Sequence, residues 1–307
     1  MVDAMMRAVR FHRTGGPEVL ELEQVPKPVP GEGEVLVRVM AAGVIPYDWK
    51  VRKGVIPVPL SFPVTAGYAF AGIVEAVGPG TSGAAPGERV YGRSSRGTYA
   101  DYTVVKPASM AAMPKSLGFI EAAALQGGAT TAWRAVIDGE VKAGDRVLIH
   151  GAAGGVGLFA VQFAKARGAY VYGTASAANL DYILSIGVDE AIDYAARDFA
   201  DVVRDADFVL DTVGGKTLEH SLETVKPGGI LLSIVGEVPP HAAAARGIRV
   251  KTVSTAGRED LEAIARMIDA GAAKPVIQKV FPLEEAREAH RLSETGHGRG
   301  RIVLRIG

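Results

Sequence analysis

Over the first hundred residues, apolar positions come in short runs broken by glycine and proline. MRAVRF, VLELEQV, EVLVRVMAAGV, AFAGIVEAV and TYADYTVV read as strands, with turn clusters such as PKPVPGEGE and VGPGTSGAAPGE between them. This is an all-β pattern. From about residue 120 strands alternate with helical stretches, the signature of βαβ units around a parallel sheet. Those strands are predicted at 146–150, 169–174, 190–194, 207–211 and 229–235. After a helix near EDLEAIARMIDAG, the tail returns to PVIQKVF, a helix at LEEAREAHRL and a last strand RIVLRI, and should rejoin the first unit. The prediction is an α/β protein with one domain made of residues 1–120 and 273–307 and a doubly wound domain at 121–272. HAAAARG at 241–247 reads as a mobile loop. AAGVIPYDWK, residues 41–50, reads as a strand end that turns at Pro46 and presents Tyr47, Asp48, Trp49 and Lys50.

Chemistry is most legible where the strand RVLIH runs into GAAGGVG. That segment supplies Gly151, Ala153, Gly154, Gly155, Val156 and Gly157, with glycines three residues apart. Val156, Phe159, Ala160, Phe163 and Ala164 then fall on one face of a helix. A strand, a glycine turn and a helix N-terminus suit a pyrophosphate, because backbone N–H groups and the helix dipole converge where a side chain would block approach. A purely structural glycine turn is the competing reading. The sequence context, with four more alternating strands behind the turn, favours a dinucleotide.

An NAD site places an acid about 20 residues on, at the end of the next strand, to hold the ribose 2′-hydroxyl. Here that end reads Ala175, Ser176, Ala177, Ala178 and Asn179, with no carboxylate before Asp181. NADP is the predicted cofactor. No Arg or Lys stands there for the 2′-phosphate, so the donors would be Ser176, Asn179 and, after the third strand, Tyr194. Two further loops, with Val213 and with Val235 and Gly236, follow parallel strands at their carboxyl ends, the edge where ligands bind in such sheets.

Charge and composition narrow the partner. Lys plus Arg and Asp plus Glu both total 34 in 307 residues, without runs of like charge, so no footprint for nucleic acid or an anionic membrane is present. A small molecule is expected. No apolar run approaches the ~18 residues that span a bilayer, and the opening MVDAMMRAVR lacks the apolar centre of a secretory signal. The expected location is cytoplasmic. With no cysteine, disulfides, thiolate nucleophiles and cysteine-bound zinc are out, and six scattered histidines, His150 among them, form no metal-binding pair. They read as structural, and no metal is predicted.

Taken together, AAGVIPYDWKVRKG, GYAFAGIVEAVG, GGATTAW, HGAAGGVGLFAVQFAK and GTASAANLDYILSIGVDEAIDY resemble the zinc-independent branch of the medium-chain dehydrogenase/reductase superfamily, and within it the quinone oxidoreductase, or zeta-crystallin-like, group. The match runs the length of the chain in the same order. It implies a GroES-like β domain plus a Rossmann doubly wound parallel-sheet domain, NADPH as hydride donor, and a homodimer whose Rossmann sheets pair edge to edge, here near GIRVKTVST. In the zinc-dependent relatives a cysteine ligand falls at Ile45 and a His-Glu pair at Tyr68 and Ala69, so none of those ligands is present. Zinc-free members similar to this chain usually carry Asn at position 45 and Asp at 69, so Ile45 and Ala69 imply a less polar cleft.

The resemblance also assigns residues. Lys50 matches a lysine that reaches the nicotinamide ribose in related enone reductases; a solvated surface lysine is the alternative. Tyr47 is the candidate to polarise a substrate carbonyl or supply a proton, because a phenol donates at neutral pH; packing against Trp49 or Phe70 competes. Tyr68, at a former metal-ligand position, should face the same cleft. Asp48 reads as a cap of the following turn. Thr131 matches a threonine near the nicotinamide, against the alternative of a helix cap. Arg301 matches a basic position near the cofactor, against a solvent-facing residue in a terminal strand. The implied activity is reduction of a quinone or an α,β-unsaturated carbonyl. The alternatives are an enoyl-thioester reductase, for which Arg52 and Lys53 are a hint, and a non-redox NADPH-binding protein or cyclase on the same scaffold.

Overall fold

The computed structural model describes residues 4–296 and 298–307, which leaves His297 and the first three residues of the predicted β domain outside the description. The chain divides into two compact units, one of residues 1–127, 257–269 and 275–307, the other of residues 128–256 and 270–274.

In chain order the first unit contributes β1 (Met5–Phe11), β2 (Glu21–Pro26), β3 (Val35–Val44), α1 (Pro46–Lys53), β4 (Val64–Thr65), β5 (Ala69–Val77), β6 (Arg89–Arg93), β7 (Tyr102–Val105), β8 (Met110–Ala112) and α2 (Phe119–Ala123). The second unit follows with α3 (Ala129–Asp138), β9 (Arg146–Ile149), α4 (Gly157–Ala166), β10 (Tyr170–Ala175), α5 (Leu180–Ser185) and β11 (Glu190–Asp193). It continues with α6 (Phe199–Val202), β12 (Ala206–Asp211), α7 (Gly215–Ser221), β13 (Val225–Ser233), α8 (Pro240–Ala245) and β14 (Arg249–Lys251). The first unit is completed by α9 (Arg258–Asp269), β15 (Ile277–Pro282), α10 (Ala286–Glu294) and β16 (Arg301–Arg305).

In the first unit one sheet runs β15-β16-β3-β5-β6-β8, with β7 also on β3, and a small sheet runs β2-β1-β4. β3 is buried along almost its whole length, which is why VLVRVMAAGV is an apolar run rather than an alternation. β16 pairs antiparallel with the end of β3, Ile302 opposite Val44, so the tail rejoins the β domain as expected. The second unit is a parallel sheet in the order β11-β10-β9-β12-β13-β14, the doubly wound Rossmann arrangement. α4 is buried from Gly157 to Ala164, and Trp133 of α3 meets Phe163 edge to face at 5.4 Å. No helix among the described residues is long and apolar enough to cross a membrane.

Four expectations change. The first crossing between units falls at Gly127/Gly128 rather than at 120/121, because α2 lies on β3: a Cβ on Gly43 would come within 2.5 Å of the Ala123 carbonyl. α9 belongs to the first unit, where the Tyr91 hydroxyl donates to the Leu261 carbonyl (2.6 Å) and Asp269 accepts the Lys115 and Ser116 N–H groups. HAAAARG is largely helical, α8, as its alanines and the proline at its start favour. Pro46 opens a helix instead of a turn: it is the first residue of α1, Asp48 accepts the Ile45 N–H (2.9 Å), and Gly54 closes the helix at φ +76°.

Candidate functional site

The first unit presents Tyr47 and Tyr68 side by side. Tyr47 sits in the first turn of α1 and Tyr68 just before β5, and their rings lie 5.1 Å apart at 52°. Tyr47 is 37% exposed and Tyr68 half-buried, so the pair faces outward. Burial raises both phenols above their ordinary range; Asp48 adds to the rise at Tyr47, while Arg93 opposes it at Tyr68. Both therefore keep their protons at neutral pH and can donate. Lys50 lies one turn along the same face of α1 as Tyr47, its ammonium 5.7 Å from the Trp49 ring and in no ion pair among the described residues.

Ile45 and Ala69, the two positions that set this chain apart, are both covered. Ile45 is 5% exposed and packs over Gly127, where a Cβ would meet its Cγ2 at 3.1 Å. Ala69 is fully buried, and its Cβ would be 3.1 Å from one placed on Gly43. The expected loss of polarity thus concerns two buried positions.

Arg301 is not solvent-facing. It is buried, with Nε donating to the Ala124 carbonyl (3.1 Å) and Nη2 to that of Gln126 (3.0 Å); burial lowers its pKa to about 10. Its guanidinium fixes the segment that ends at Gly127. Among the described residues, the grouping able to offer three metal-ligand atoms is His12, just after β1, with Glu21 and Glu23 on β2, and Glu23 already accepts from Arg10 and His12.

In the second unit the glycine turn has the geometry a pyrophosphate needs. Gly151 has φ +66°, and a Cβ on Gly157 would come within 2.2 Å of the Gly151 carbonyl, so only glycine lets the turn close. A Cβ on Gly154 would meet nothing nearer than that carbonyl at 3.2 Å; its absence keeps the backbone face open for a ligand. α4 has no side-chain cap, which leaves the first-turn N–H groups around Gly155, Val156 and Gly157 for an anion. Ala153 is buried within the turn.

Below the turn His150 is buried between Thr174 Oγ1 (3.2 Å from Nδ1) and Ser221 Oγ (3.0 Å from Nε2). Ser221 gives its proton to the Thr217 carbonyl, so Nε2–H donates to Ser221 and the ring is neutral; burial takes its pKa down to about 4. Thr174 Oγ1 in turn accepts the Gly151 N–H (3.2 Å).

At the end of β10, Asn179 Nδ2 donates to Ser176 Oγ (3.1 Å), and the Tyr194 N–H donates to the Ala175 carbonyl (3.3 Å). Ser176, Asn179 and the exposed Tyr194 therefore share one corner, which also borders Asp193, opposite Ala175 in the sheet. Thr131 lies in the first turn of α3, whose cap position is Gly128, so it is not the cap.

Val213 and Val235 are exposed at the ends of neighbouring strands, and a Cβ on Gly214 would touch Val235 Cγ2 at 3.1 Å. Sequence reasoning missed the residues that hold these loops. Asp211, fully buried, accepts the N–H groups of Val213 (3.0 Å) and Gly214 (2.9 Å), and Ser233 Oγ accepts those of Val235 (3.2 Å) and Gly236 (3.0 Å). The available signal was a polar residue closing each apolar strand.

The sequence profile described as "Alcohol dehydrogenase GroES-like domain" matches residues 31–115, and that described as "Zinc-binding dehydrogenase" matches 186–304. The chain is 34% identical to the quinone oxidoreductase of Sus scrofa, over 96% of this chain and 95% of that one. It is 33% identical to the 2-methylene-furan-3-one reductase of Solanum lycopersicum, over 99% of this chain and 80% of the relative. The solved structure of the quinone oxidoreductase from Coxiella burnetii superimposes with a TM-score of 0.91 at 32% identity, covering 99% and 100% of the two chains.

Proposed function

The chain belongs to the medium-chain dehydrogenase/reductase superfamily, and from that premise we propose an NADPH-dependent reductase of quinones or α,β-unsaturated carbonyls that works without zinc. The observation that carries the reading is the Tyr47–Tyr68 pair, two phenols 5.1 Å apart that burial keeps protonated.

A nicotinamide dinucleotide supplies the hydride, and what remains for the protein is binding, orientation and charge stabilisation. The 151–157 turn and the start of α4 would hold the pyrophosphate, and Ser176, Asn179 and Tyr194 the ribose 2′-phosphate. Val213, Val235 and Gly236 would line the nicotinamide end together with Thr131. In the first unit Arg301 shapes the 124–127 segment.

When a conjugated carbonyl or quinone is reduced, negative charge develops on its oxygen. Tyr47 and Tyr68 would meet that charge with O–H groups held side by side by the contact of their rings. A Lewis-acid route lacks ligands, since Ile45 and Ala69 offer no donor atom at positions that hold zinc in the zinc-dependent relatives. We read the protein as cytoplasmic and as a homodimer joined through β14, which among the described residues has a strand partner on one side only.

Stopped-flow oxidation of NADPH and NADH against 1,4-benzoquinone, a simple enone and an enoyl-CoA tests the reading. NADPH-selective turnover of the quinone or enone is expected. Selective turnover of the enoyl-CoA would make the protein a thioester reductase, and tight NADPH binding without turnover of any acceptor would overturn the redox reading.

A further inference from the structure

Behind the two phenols lies a buried polar chain to which no role has yet been given. Arg52 on α1 is fully buried; its Nε donates to the Gly15 carbonyl (3.1 Å), its Nη2 to Glu294, and its Nη1 to His290 Nδ1 (3.0 Å). A guanidinium only donates. His290 therefore accepts at Nδ1, carries its proton on Nε2 and directs it to the Tyr99 hydroxyl (3.3 Å). Tyr99 gives its own proton to Asp48 Oδ2 (2.9 Å), the same oxygen that accepts the Ile45 N–H. Every donor in the series points toward Asp48.

The ring of Tyr99 has a second contact. Gly67 has φ +90°, and a Cβ there would lie 2.2 Å from Tyr99 Cδ1 and 2.5 Å from Thr98 Oγ1. The Thr98 and Tyr99 N–H groups both donate to the Ala66 carbonyl at 2.9 Å, so this segment is tied to the one that leads into Tyr68. Through its hydroxyl Tyr99 thus bears on the residue after Tyr47, and through its ring on the residue before Tyr68.

We propose that Tyr99 is a positioning residue for the Tyr47–Tyr68 pair: it sets the separation and direction of the two phenols, and His290 and Arg52 hold it in place. The proposal rests on the reading of those phenols as donors to the substrate oxygen. Asp48 gives it a measurable signature. Burial pushes this carboxyl up to about 7, against the Ile45 N–H, the Tyr99 hydroxyl and the Arg301 guanidinium, which all favour its charged form. The other groups that sense it are Tyr47 and Tyr68, whose phenols its charge raises. Removal of the Tyr99 hydroxyl takes away a bond to the charged form, so Asp48 should titrate at higher pH.

The test is NMR of the full chain labelled at the tyrosine Cζ, in wild type, Tyr99→Phe and a control, Tyr91→Phe, which removes a buried hydroxyl elsewhere in the same unit. Tyr47→Phe and Tyr68→Phe assign the two signals. In Tyr99→Phe both signals should move and their inflection from Asp48 should rise in pH, while in Tyr91→Phe both should stay. On the same samples, Tyr99→Phe should lower kcat with 1,4-benzoquinone about tenfold with KM for NADPH unchanged, and should cost little more in a Tyr47→Phe background. Unchanged Tyr47 and Tyr68 signals in Tyr99→Phe, or losses that add in full, would overturn the proposal. If Tyr99→Phe does not fold, His290→Gln frees the Tyr99 ring from one side and should move the same signals in the same direction. If the wild type reduces no acceptor, the reductase reading fails while the NMR result still decides the role of Tyr99.

Discussion

The Ser233 hydroxyl donates to the buried Asp211 carboxylate at 2.6 Å, across the ends of two neighbouring parallel strands. Each partner also accepts the N–H groups of its own loop, so this one pair sets both edges at which Val213 and Val235 emerge. Ser233→Ala should weaken NADPH binding several-fold, with KM for the quinone little changed. It should also cost on the order of 1–2 kcal/mol of stability, because a buried carboxylate loses a donor. Nicotinamide fluorescence titration and urea unfolding of the same variant check both.

Tyr47→Phe and Tyr68→Phe each remove one O–H while keeping the ring contact between them. Each should lower kcat at least about tenfold with NADPH affinity unchanged. The double variant should lose less than the sum, because one phenol can take over part of the charge from the other. Steady-state kinetics with 1,4-benzoquinone give all the corners of the cycle. Equal rates in wild type and both single variants would remove the phenols from the reaction.

Ser176→Asp replaces a hydroxyl of the corner formed with Asn179 and Tyr194 by a carboxylate. It should weaken NADPH binding by about tenfold or more through repulsion of the 2′-phosphate and leave NADH nearly unaffected. Parallel Kd measurements for the two dinucleotides decide it. A change of equal size for both would move the 2′-phosphate site elsewhere.

Two buried histidines should make the fold acid-sensitive. Burial lowers His150 to about 4 and His290 to about 3, from 6.5. Between those values and 6.5 the unfolded chain binds more protons than the folded one, so stability falls as pH drops below 6.5. Asp48 runs the other way: raised from 3.8 to about 7, it contributes stability that is lost as pH rises through 7. The histidines outnumber it, and the urea midpoint should decline from pH 6.5 to pH 5. His150→Gln should flatten that decline; an unchanged slope would exclude His150 as a source.

The glycine turn, the alternating strands behind it and the tail that rejoins the β sheet were all legible, because each is written in local spacing. α1 was missed because its eight residues are mostly polar and too few to show a period; its punctuation was there, with Pro46 first, Asp48 in the first turn and Gly54 after the end. The polar chain behind the tyrosines could not be read at all. His290 stands 238 residues from Arg52 and 191 from Tyr99, and no local pattern connects them. The burial of Arg301 escaped for a similar reason: a basic residue in a terminal strand looks solvent-facing until the carbonyls it serves, at Ala124 and Gln126, are seen beside it.

That last contact has a consequence for how the molecule is made. β16 covers the end of β3 at Ala41–Val44 and brings donors to the Ala124 and Gln126 carbonyls, yet it follows the whole second unit in the chain. During translation both pieces of the second unit, 128–256 and 270–274, are made before β16, while the first unit waits with an open sheet edge. The half that carries the phenols is therefore the half exposed longest to wrong partners on the ribosome, and a strand made only after the whole second unit is the one that seals it.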